Sequence, residues 1–477
     1  MIEYKNIPAY RFFEKICSIP HGSGNEKGLA DYVEAFAKSK GYYCYHDEFN
    51  SVLVRKPARK GRENEAPVLL QGHLDMVCEK NADTEFDFLK DGLKIVEKDG
   101  YIWADGTTLG ADDGAAVAIM LSILDDDGFD APEIECLFTT GEETGLVGAI
   151  NFDYSKIKSR RMINLDTECD GEAIAGSAGG VRCRLTRKLE YSESDVNGKF
   201  LKIKIGGLKG GHSGCDIHLG RISACQTAAR LLKLLGDKIS LCGIVGGNMD
   251  NAIARECEIW VATDDQSFVK AVCSDFEATL KAKANTEDEN VYINVTETTE
   301  KPVFNTGFSK AVKELTENLL HGVYAMSRDM EGLVESSSNF ASLKEIDGDL
   351  VITVSLRSSV ANSLVAMKEK LSEIAKQNGF VAVFESEYPG WQYDPESKLA
   401  RIYLESYKEV SGREGRVTAI HAGLECGLVK SQIPDIDIIS IGPNIYDIHT
   451  PNEHMEIESF VRFNDLLRIM INNHNHQ

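Results

Sequence analysis

Five residues with metal-binding side chains lie at the ends of apolar, strand-like segments. They are His73 in VLLQGHLDMV, Asp112 in LGADDGAAV, Glu143 in LFTTGEETG, Asp166 in MINLD and His449 in DIHTPNE. A borderline metal such as zinc takes imidazole and carboxylate ligands, and a two-metal site needs one bridging carboxylate plus an imidazole and a carboxylate for each ion. Two histidines and three acids meet that requirement. The pattern therefore indicates a two-metal hydrolase.

Each of these residues also has a purely structural interpretation. His73 could be a buried core histidine, and Asp112 or Asp166 could cap a helix. Their recurrence favours the metal site, because reactive groups in open α/β sheets gather beyond the carboxyl ends of the strands. We expect the five side chains to meet at that edge.

Two further acids lie beside the candidate ligands. Asp75 follows His73 by two positions, so along a strand both side chains point to the same face and the carboxylate can orient the imidazole. Glu142 adjoins Glu143, so one carboxylate can hold metal while the other moves protons. The alternative for this pair is an acidic helix start, which the helix dipole favours.

Composition narrows the class of protein. A chain of 477 residues with 43% hydrophobic residues is long enough for two or more domains. Its formal net charge of -23 argues against nucleic acid or an anionic membrane surface as a partner. The sequence shows no secretory signal and no apolar stretch of about 18 residues. We therefore predict a cytoplasmic protein in which most of the scattered cysteines, such as Cys136, Cys225 and Cys273, are buried free thiols.

The order of helical and strand-like segments predicts the domain organisation. Residues 1–180 alternate strands and helices, as expected for a mostly parallel sheet, and end in the glycine-rich segment AIAGSAGG. Residues 181–394 have segregated strands and helices, which predicts an α+β lid large enough for two subdomains. The α/β pattern returns in residues 395–477. The predicted fold is an α/β domain with a mixed sheet, interrupted by this lid.

A series of short motifs resembles a known family. The motifs are GHLDMV, GADDGAA, GEETGLVGA, NLDTE, GGHSG, HAGLECG and HTPNE. Together they are similar to the bacterial aminoacyl-histidine dipeptidases, and the similarity spans nearly the whole chain. These enzymes form a branch of a wider zinc-peptidase family with carboxypeptidases, aminoacylases and tripeptidases.

The resemblance implies a role for each residue of the candidate metal site. One zinc would be bound by His73 and Asp166 and a second by Glu143 and His449, with Asp112 and a water between them. Asp75 would brace His73. Glu142 would be the general base that takes a proton from this water and later gives it to the leaving amine.

The resemblance also implies substrate contacts in the lid. His212 of GGHSG would stabilise the tetrahedral oxyanion, and Arg357 would bind the C-terminal carboxylate of the substrate with its planar, bidentate guanidinium. Asn251, Arg255 and Gly423 are further candidates for substrate binding. From the residues alone, His212 could be an ordinary turn histidine and Arg357 a surface residue at a strand end.

One position departs from the family pattern. Relatives commonly have asparagine after the bridging aspartate, joined to it by a cis peptide bond, whereas this chain has Asp113. An aspartate there adds negative charge beside the site, so metal preference or affinity is expected to differ while the ligand set stays complete.

The predicted function is that of a metallodipeptidase. It would hydrolyse unblocked L-dipeptides, including Xaa-His dipeptides, with two divalent ions, zinc first and cobalt or manganese as alternatives. Its partner would be a small peptide, and the protein would be a monomer or a homodimer. The rival enzymes are a tripeptidase, an aminoacylase or a deacylase. A non-catalytic binding protein on the same fold is the other alternative, but such a protein is expected to lose Glu142.

Overall fold

The computed structural model describes residues 4–192 and 198–473. These residues form two compact units. Unit 1 contains Met1–Ser177, Trp391–Ala419 and Leu424–Gln477, and unit 2 contains Ala178–Gly390 and Ile420–Gly423. Among the described residues, no helix is both long and apolar enough to cross a membrane.

The elements are numbered in chain order. The first part of unit 1 contains α1 (Pro8–Cys17), α2 (Lys27–Ser39), β1 (Tyr43–His46), β2 (Val52–Lys56), β3 (Val68–His73), β4 (Ile95–Lys98), β5 (Tyr101–Ala104), α3 (Ala111–Asp125), β6 (Ile134–Thr139), α4 (Val147–Asn151), β7 (Arg161–Asn164) and β8 (Glu172–Ser177). Unit 2 contains β9 (Gly179–Lys188), β10 (Lys199–Gly206), β11 (Gly211–His212), α5 (Ala224–Leu235), β12 (Ser240–Gly246), β13 (Ala252–Ile253), β14 (Cys257–Thr263), α6 (Gln266–Lys281), β15 (Tyr292–Glu297), α7 (Thr306–Asn318), β16 (Gly322–Met326), β17 (Val334–Ile346), β18 (Asp349–Ser358), α8 (Ala361–Gln377) and β19 (Val381–Tyr388). The remaining elements are α9 (Lys398–Ser411), β20 (Arg416–Ile420), α10 (Glu425–Gln432), β21 (Asp437–Ser440), β22 (Ile445–Tyr446), β23 (His454–Glu456) and α11 (Ile457–Asn473).

The main sheet of unit 1 is mixed, as the sequence predicts. Its strand order is β1-β2-β6-β3-β7-β21-β8-β20. The central strands β6, β3, β7 and β21 are parallel, while β1, β2 and β8 pair antiparallel with their neighbours. The central strands are buried on both faces, which explains why VLLQGH and IECLFT are apolar runs without alternation. Because these strands are parallel, all four end at the same edge.

A smaller antiparallel sheet also belongs to unit 1. It has the order β22-β23-β5-β4, and β4 and β5 form the hairpin that the D-G dipeptide in FDFLKDGLKIVEKDGYIWAD predicts. Helix α3 is buried along most of its length, which matches its almost entirely apolar sequence. It packs against α1 and against β3, the strand that ends in the candidate ligand His73.

Unit 2 has one sheet of nine strands among the described residues. Its order is β15-β10-β14-β12-β17-β18-β9-β19, with β16 paired to β17. Helices α5, α6, α7 and α8 contribute to one large hydrophobic cluster with the strands of this sheet. The predicted α+β character agrees with this arrangement, whereas the division into two subdomains is not confirmed.

The glycine-rich segment AIAGSAGG is not a loop. Residues 172–177 and 179–188 are strands β8 and β9, and the two compact units divide between them, at Ser177 and Ala178. A Cβ atom on Gly179 would lie 2.4 Å from the backbone nitrogen of Gly390, and one on Gly176 would lie 3.1 Å from that of Tyr393. These glycines allow close approach of two backbones, which gives the same sequence signal as a flexible turn.

Candidate active site

The five candidate ligands meet at one edge of the unit 1 sheet. His73 is the last residue of β3, Glu143 follows β6, and Asp166 follows β7. These three strands are parallel, so their carboxyl ends lie side by side. Asp112 comes from the start of α3, and His449 comes from a turn before β23. The sheet therefore brings together residues that are far apart in the sequence.

Asp112 lies between the two histidines. Its Oδ1 is 3.1 Å from Nε2 of His73, and its Oδ2 is 3.3 Å from Nε2 of His449. Asp166 Oδ1 is 3.6 Å from His73 Nε2, and Glu143 Oε1 is 2.8 Å from His449 Nε2. Each histidine thus faces one oxygen of the shared aspartate and one further acid. This is the donor arrangement that a carboxylate-bridged pair of ions requires.

The hydrogen bonds of His73 show why the residues fit a cation. Its Nδ1 lies 3.0 Å from the backbone carbonyl of Asp75, which can only accept, so the Nδ1 carries the proton. In the neutral ring the Nε2 lone pair then points at the oxygens of Asp112 and Asp166. Two acceptors facing each other at this distance need a positive charge between them, either a proton or a metal ion.

The closeness of acids and imidazoles also shifts the pKa values of these residues. Burial opposes the charged form of His73, but Asp166 and Asp112 outweigh it and raise its pKa well above the usual value. Hydrogen bonds that the protonated ring donates to Asp112 and Glu143 raise the pKa of His449 to about 10. Burial raises the pKa of Asp166 to about 8. So many buried acids around two imidazoles attract cations strongly.

Of the four groups of described side chains whose ligand atoms are close enough to share an ion, three lie at this site, and the fourth is Asp31, Glu34 and His46. The three at this site are His73 with Asp113 and Asp166, His73 with Glu142 and Glu143, and Asp112 with Glu143 and His449, each with its ligand atoms within 4.8 Å of one another. All of the acids and histidines predicted for the metal site occur in these groups. The site in unit 1 can therefore hold metal.

Asp75 connects a ligand histidine to the loop of the two glutamates. Its Oδ1 is 3.4 Å from Nδ1 of His73 and accepts the backbone N–H of Glu142 at 3.0 Å. Its Oδ2 accepts the backbone N–H of Glu143 at 3.3 Å and the hydroxyl of Ser23 at 2.9 Å. Sequence analysis predicted the contact with His73 but missed the other three. Ser23 lies in HGSGNE, a segment with no metal-binding spacing.

Glu142 is a carboxyl group with an unusual environment. Burial raises its pKa well above the usual value, and the nearby Asp166 adds to the rise while His73 opposes it. A carboxyl group whose pKa moves toward neutrality can both take and return a proton. Glu142 therefore has the property that a general base needs.

Asp113 is buried against β3 rather than exposed to solvent. The peptide bond between Asp112 and Asp113 is cis, and Asp113 Oδ2 accepts the backbone N–H of His73 at 3.0 Å. Burial and the nearby Asp166 raise its pKa well above the usual value. Burial and Asp166 therefore disfavour the ionised form of Asp113, which opposes the extra negative charge expected from the sequence.

Glu425 is a further buried acid that sequence analysis did not single out. It belongs to HAGLECG, and its Oε2 accepts from Gln71 Nε2 at 2.5 Å and from the Thr139 hydroxyl at 2.7 Å. Burial raises its pKa to about 7. Gln71 lies two positions before His73 on the same face of β3. The hydrogen-bond network of Glu425 is therefore next to a candidate metal ligand. Glu425 is part of the HAGLECG motif. An acid at the start of an apolar helix has no feature in the sequence that marks it as part of the site.

His212 of unit 2 has a defined tautomer. It ends β11, and its Nδ1 accepts the backbone N–H of Cys215 at 3.0 Å. In the neutral ring the proton is therefore on Nε2, which makes that nitrogen a donor. Burial, with a contribution from Arg357, lowers the pKa of His212 and favours this neutral form.

Arg357 and Gly423 lie near each other in unit 2. Arg357 Nη1 donates to the hydroxyl of Tyr388 at 2.8 Å, and no acid among the described residues lies within ion-pair distance of its guanidinium. The ring of Tyr388 covers Gly423, where a Cβ atom would lie 2.6 Å from Cε2. The guanidinium therefore retains donors that an anion could use.

Asn251 and Arg255 flank the short strand β13, which pairs with β11. Ala252 faces His212 in this pairing, and the Asn251 carbonyl accepts the backbone N–H of Ser213 at 2.8 Å. Both side chains are exposed, and Arg255 lines a hollow of about 650 Å³ with Lys209. The predicted substrate-binding residues of NAIARE thus lie beside GGHSG.

Comparisons with known proteins identify relatives over nearly the whole chain. The sequence pattern of Peptidase family M20/M25/M40 matches residues 69–473. The cytosol non-specific dipeptidase of Escherichia coli (strain K12) is 34% identical over 465 residues, which is 96% of each chain. The crystal structure of aminoacylhistidine dipeptidase from Vibrio alginolyticus has a TM-score of 0.92 at 32% identity and covers 98% of each chain. Aminopeptidase PepT from Bacillus cereus shares the fold, with a TM-score of 0.56, 16% identity and 98% of each chain covered.

Proposed function

Because the chain belongs to peptidase family M20/M25/M40, we propose that it is a two-metal dipeptidase acting on unblocked L-dipeptides. The substrate range would include dipeptides with C-terminal histidine, the class named for its Vibrio relative. A location in the cytoplasm is proposed from the name of its Escherichia relative.

One observation in unit 1 carries this proposal. The two oxygens of Asp112 face Nε2 of His73 and Nε2 of His449, at 3.1 and 3.3 Å. We assign His73 and Asp166 to one ion, Glu143 and His449 to the other, and Asp112 to both. Zinc fits these nitrogen and oxygen donors, and cobalt or manganese are the alternatives. When bound, the ions would polarise the scissile carbonyl and lower the pKa of the attacking water.

Glu142 is the residue we assign to proton transfer. Its carboxylate accepts a proton from the attacking water, and the resulting carboxylic acid gives that proton to the nitrogen of the leaving amine, which a raised pKa makes possible. Asp75 holds the backbone of Glu142 and the ring of His73 in fixed positions. The proposed base Glu142 and the candidate ligand His73 therefore keep the same relative position during the reaction.

Two residues of unit 2 are assigned to the substrate. The Nε2–H of neutral His212 would donate to the oxyanion, since its Nδ1 is already an acceptor. Arg357 would bind the C-terminal carboxylate, because its guanidinium has no acidic partner among the described residues. Asn251, Arg255 and Gly423 would make further contacts. A free carboxylate at the C-terminus is then required of the substrate.

A peptide panel tests the proposed activity. The purified chain, first stripped with chelator and then supplied with Zn²⁺, Co²⁺ or Mn²⁺, is assayed on Ala-His, Ala-Ala, their N-acetylated and C-amidated forms, and Ala-Ala-Ala. We expect rapid cleavage of the two free dipeptides only, with no activity before metal is restored. Preference for the N-acetylated peptides would indicate an aminoacylase, and preference for Ala-Ala-Ala a tripeptidase. Metal content measured on the same samples should reach two ions per chain.

A further inference from the structure

One acid of HTPNE has no part in the assigned chemistry. Glu453 is buried, with 3% of its surface exposed, although glutamate is among the residues least often buried. Its carboxylate accepts four backbone N–H groups. Leu109 and Gly110 donate to Oε2 at 2.9 and 3.0 Å, and Ala111 and Asp112 donate to Oε1 at 2.8 and 3.3 Å.

These N–H groups need an acceptor. They precede or begin helix α3, where backbone donors have no partner within the helix, and the residues around them are buried. Gly110 has a left-handed backbone at φ 65°, which turns its N–H toward the same side as its neighbours. The backbone N–H groups of segment 109–112 therefore converge on a single carboxylate. The last residue of this segment is the shared ligand Asp112.

The backbone of Glu453 is bonded to the turn that contains His449. The backbone N–H of Glu453 donates to the Thr450 carbonyl at 3.0 Å, and the Thr450 hydroxyl donates to the Asp447 carbonyl at 2.7 Å. His449 lies within this turn at φ 61°, a left-handed conformation that non-glycine residues seldom adopt. A short, internally bonded turn thus connects the acid to the ligand histidine.

We propose that Glu453 is a positioning residue that fixes the distance between Asp112 and His449. It joins two segments that are more than 340 positions apart in the sequence, at the point where Asp112 Oδ2 and His449 Nε2 lie 3.3 Å apart. The inference rests on the proposed two-metal function. Glu453 does not hold metal, and it acts on the ion at His449 by holding the ligands of that ion in register.

The test compares Glu453→Gln with a matched control. Gln keeps the shape of the side chain but has one acceptor oxygen, so its amide group must face two N–H donors. The control is Glu135→Gln. Glu135 is equally buried in unit 1 and accepts the backbone N–H groups of Lys158 and Ser159 at 3.0 and 2.9 Å, but it makes no contact with a candidate ligand.

The readout is metal affinity rather than activity. Chelator-stripped proteins are titrated with Co²⁺ by calorimetry, and the thermal unfolding of the stripped proteins is measured in parallel. Both variants should lower the unfolding temperature, since both disturb a buried network. Only Glu453→Gln should weaken the binding of one of two Co²⁺ ions, by about 10- to 100-fold, the usual effect of losing an outer partner of a ligand. In a His449→Ala background, Glu453→Gln should have little further effect on the remaining ion.

The outcomes separate the inference from the proposed function. Two unchanged Co²⁺ affinities in a folded Glu453→Gln protein would overturn the positioning role alone, as would an equal loss of affinity in Glu135→Gln. A parent protein that binds fewer than two ions would overturn the two-metal function and the inference together. If Glu453→Gln does not fold, Glu453→Asp replaces it, because its shorter carboxylate reaches fewer of the four N–H groups. Wild-type affinity in that variant would also overturn the role.

Discussion

The carboxylate of Asp75 accepts the backbone N–H of Glu142 at 3.0 Å. The same carboxylate lies 3.4 Å from Nδ1 of His73 and accepts the hydroxyl of Ser23 at 2.9 Å. One buried acid therefore orients a candidate metal ligand and the loop of the proposed base. A change at Asp75 should affect metal binding and proton transfer together.

Asp75→Asn should weaken metal binding and also reduce kcat at saturating metal. The amide has one acceptor oxygen in place of two, so it cannot serve both His73 with the N–H of Glu142, which share Oδ1, and the N–H of Glu143 with the Ser23 hydroxyl, which share Oδ2. Metal affinity should fall about 10- to 100-fold. Ser23→Ala removes one donor and should give a smaller change in the same direction. Titration with Zn²⁺ and steady-state kinetics measure both effects, with Ser39→Ala as an exposed control; a loss in metal affinity alone would show that the loop contact has no role.

Glu142→Gln should lower kcat by about 100-fold or more while two ions remain bound. The reason is that glutamine cannot take a proton but fills nearly the same volume. Kinetics and metal analysis of the same sample check both parts of the prediction. Glu79→Gln, an exposed acid of unit 1, is the control. Turnover close to that of the parent would mean that another group moves the proton.

Asp113→Asn should leave the metal content unchanged and kcat within a few-fold of the parent. Burial raises the pKa of Asp113 and favours its neutral carboxyl, which asparagine resembles. The amide oxygen can still accept the backbone N–H of His73. Competition between Zn²⁺ and Mn²⁺ for the two proteins measures any change in preference. A large shift in that competition would show that Asp113 is ionised in the metal-bound protein.

Arg357→Ala should reduce kcat/KM for a free dipeptide by roughly 30-fold or more, as expected when one partner of a buried charge pair is removed. The C-amidated peptide, already a poor substrate, should change much less. The preference for a free carboxylate is the ratio of the two values. Arg328→Ala, at an exposed position of unit 2, should leave that ratio unchanged. If Arg357→Ala also left it unchanged, the carboxylate would be bound elsewhere.

His421 should make stability depend on pH. It is 6% exposed, and burial, aided by Arg357, lowers its pKa to about 4, while its Nε2 lies 2.7 Å from the Ser337 hydroxyl. In the unfolded chain its pKa is about 6.5, so the unfolded state binds the proton first as pH falls. The contribution of neutral His421 is complete above about pH 6.5 and is lost as the pH falls toward about 4.

This dependence is measured by comparing metal-free parent protein with His421→Gln. The parent should lose about 2 kcal/mol more unfolding free energy than the variant between pH 7.5 and pH 5. Glutamine can bond to Ser337 without titrating, and the other groups near the ring, Arg357, His212 and His218, are common to both proteins. Identical pH profiles would show that His421 is not a buried neutral histidine.

The sequence determined the residue types of the candidate site and the edge at which they meet. Apolar runs that end in His73, Glu143 and Asp166 are buried parallel strands, and the carboxyl ends of such strands lie together. The motifs were also sufficient to place the chain in its family, which the comparisons confirm over residues 69–473. These features depend on local order along the chain, so they can be read from it.

Only the tertiary structure decided how the residues are held. The bonds from Leu109 and Asp112 to Glu453, and from Ser23 to Asp75, join distant segments, so no spacing in the sequence reports them. The glycines of AIAGSAGG lie in strands β8 and β9, which the sequence alone does not report, because close backbone packing and flexible turns both require a missing side chain. The two oxygens of Asp112 face different histidines. This arrangement depends on the positions of the start of α3 and of the 447–453 turn, which long-range packing fixes.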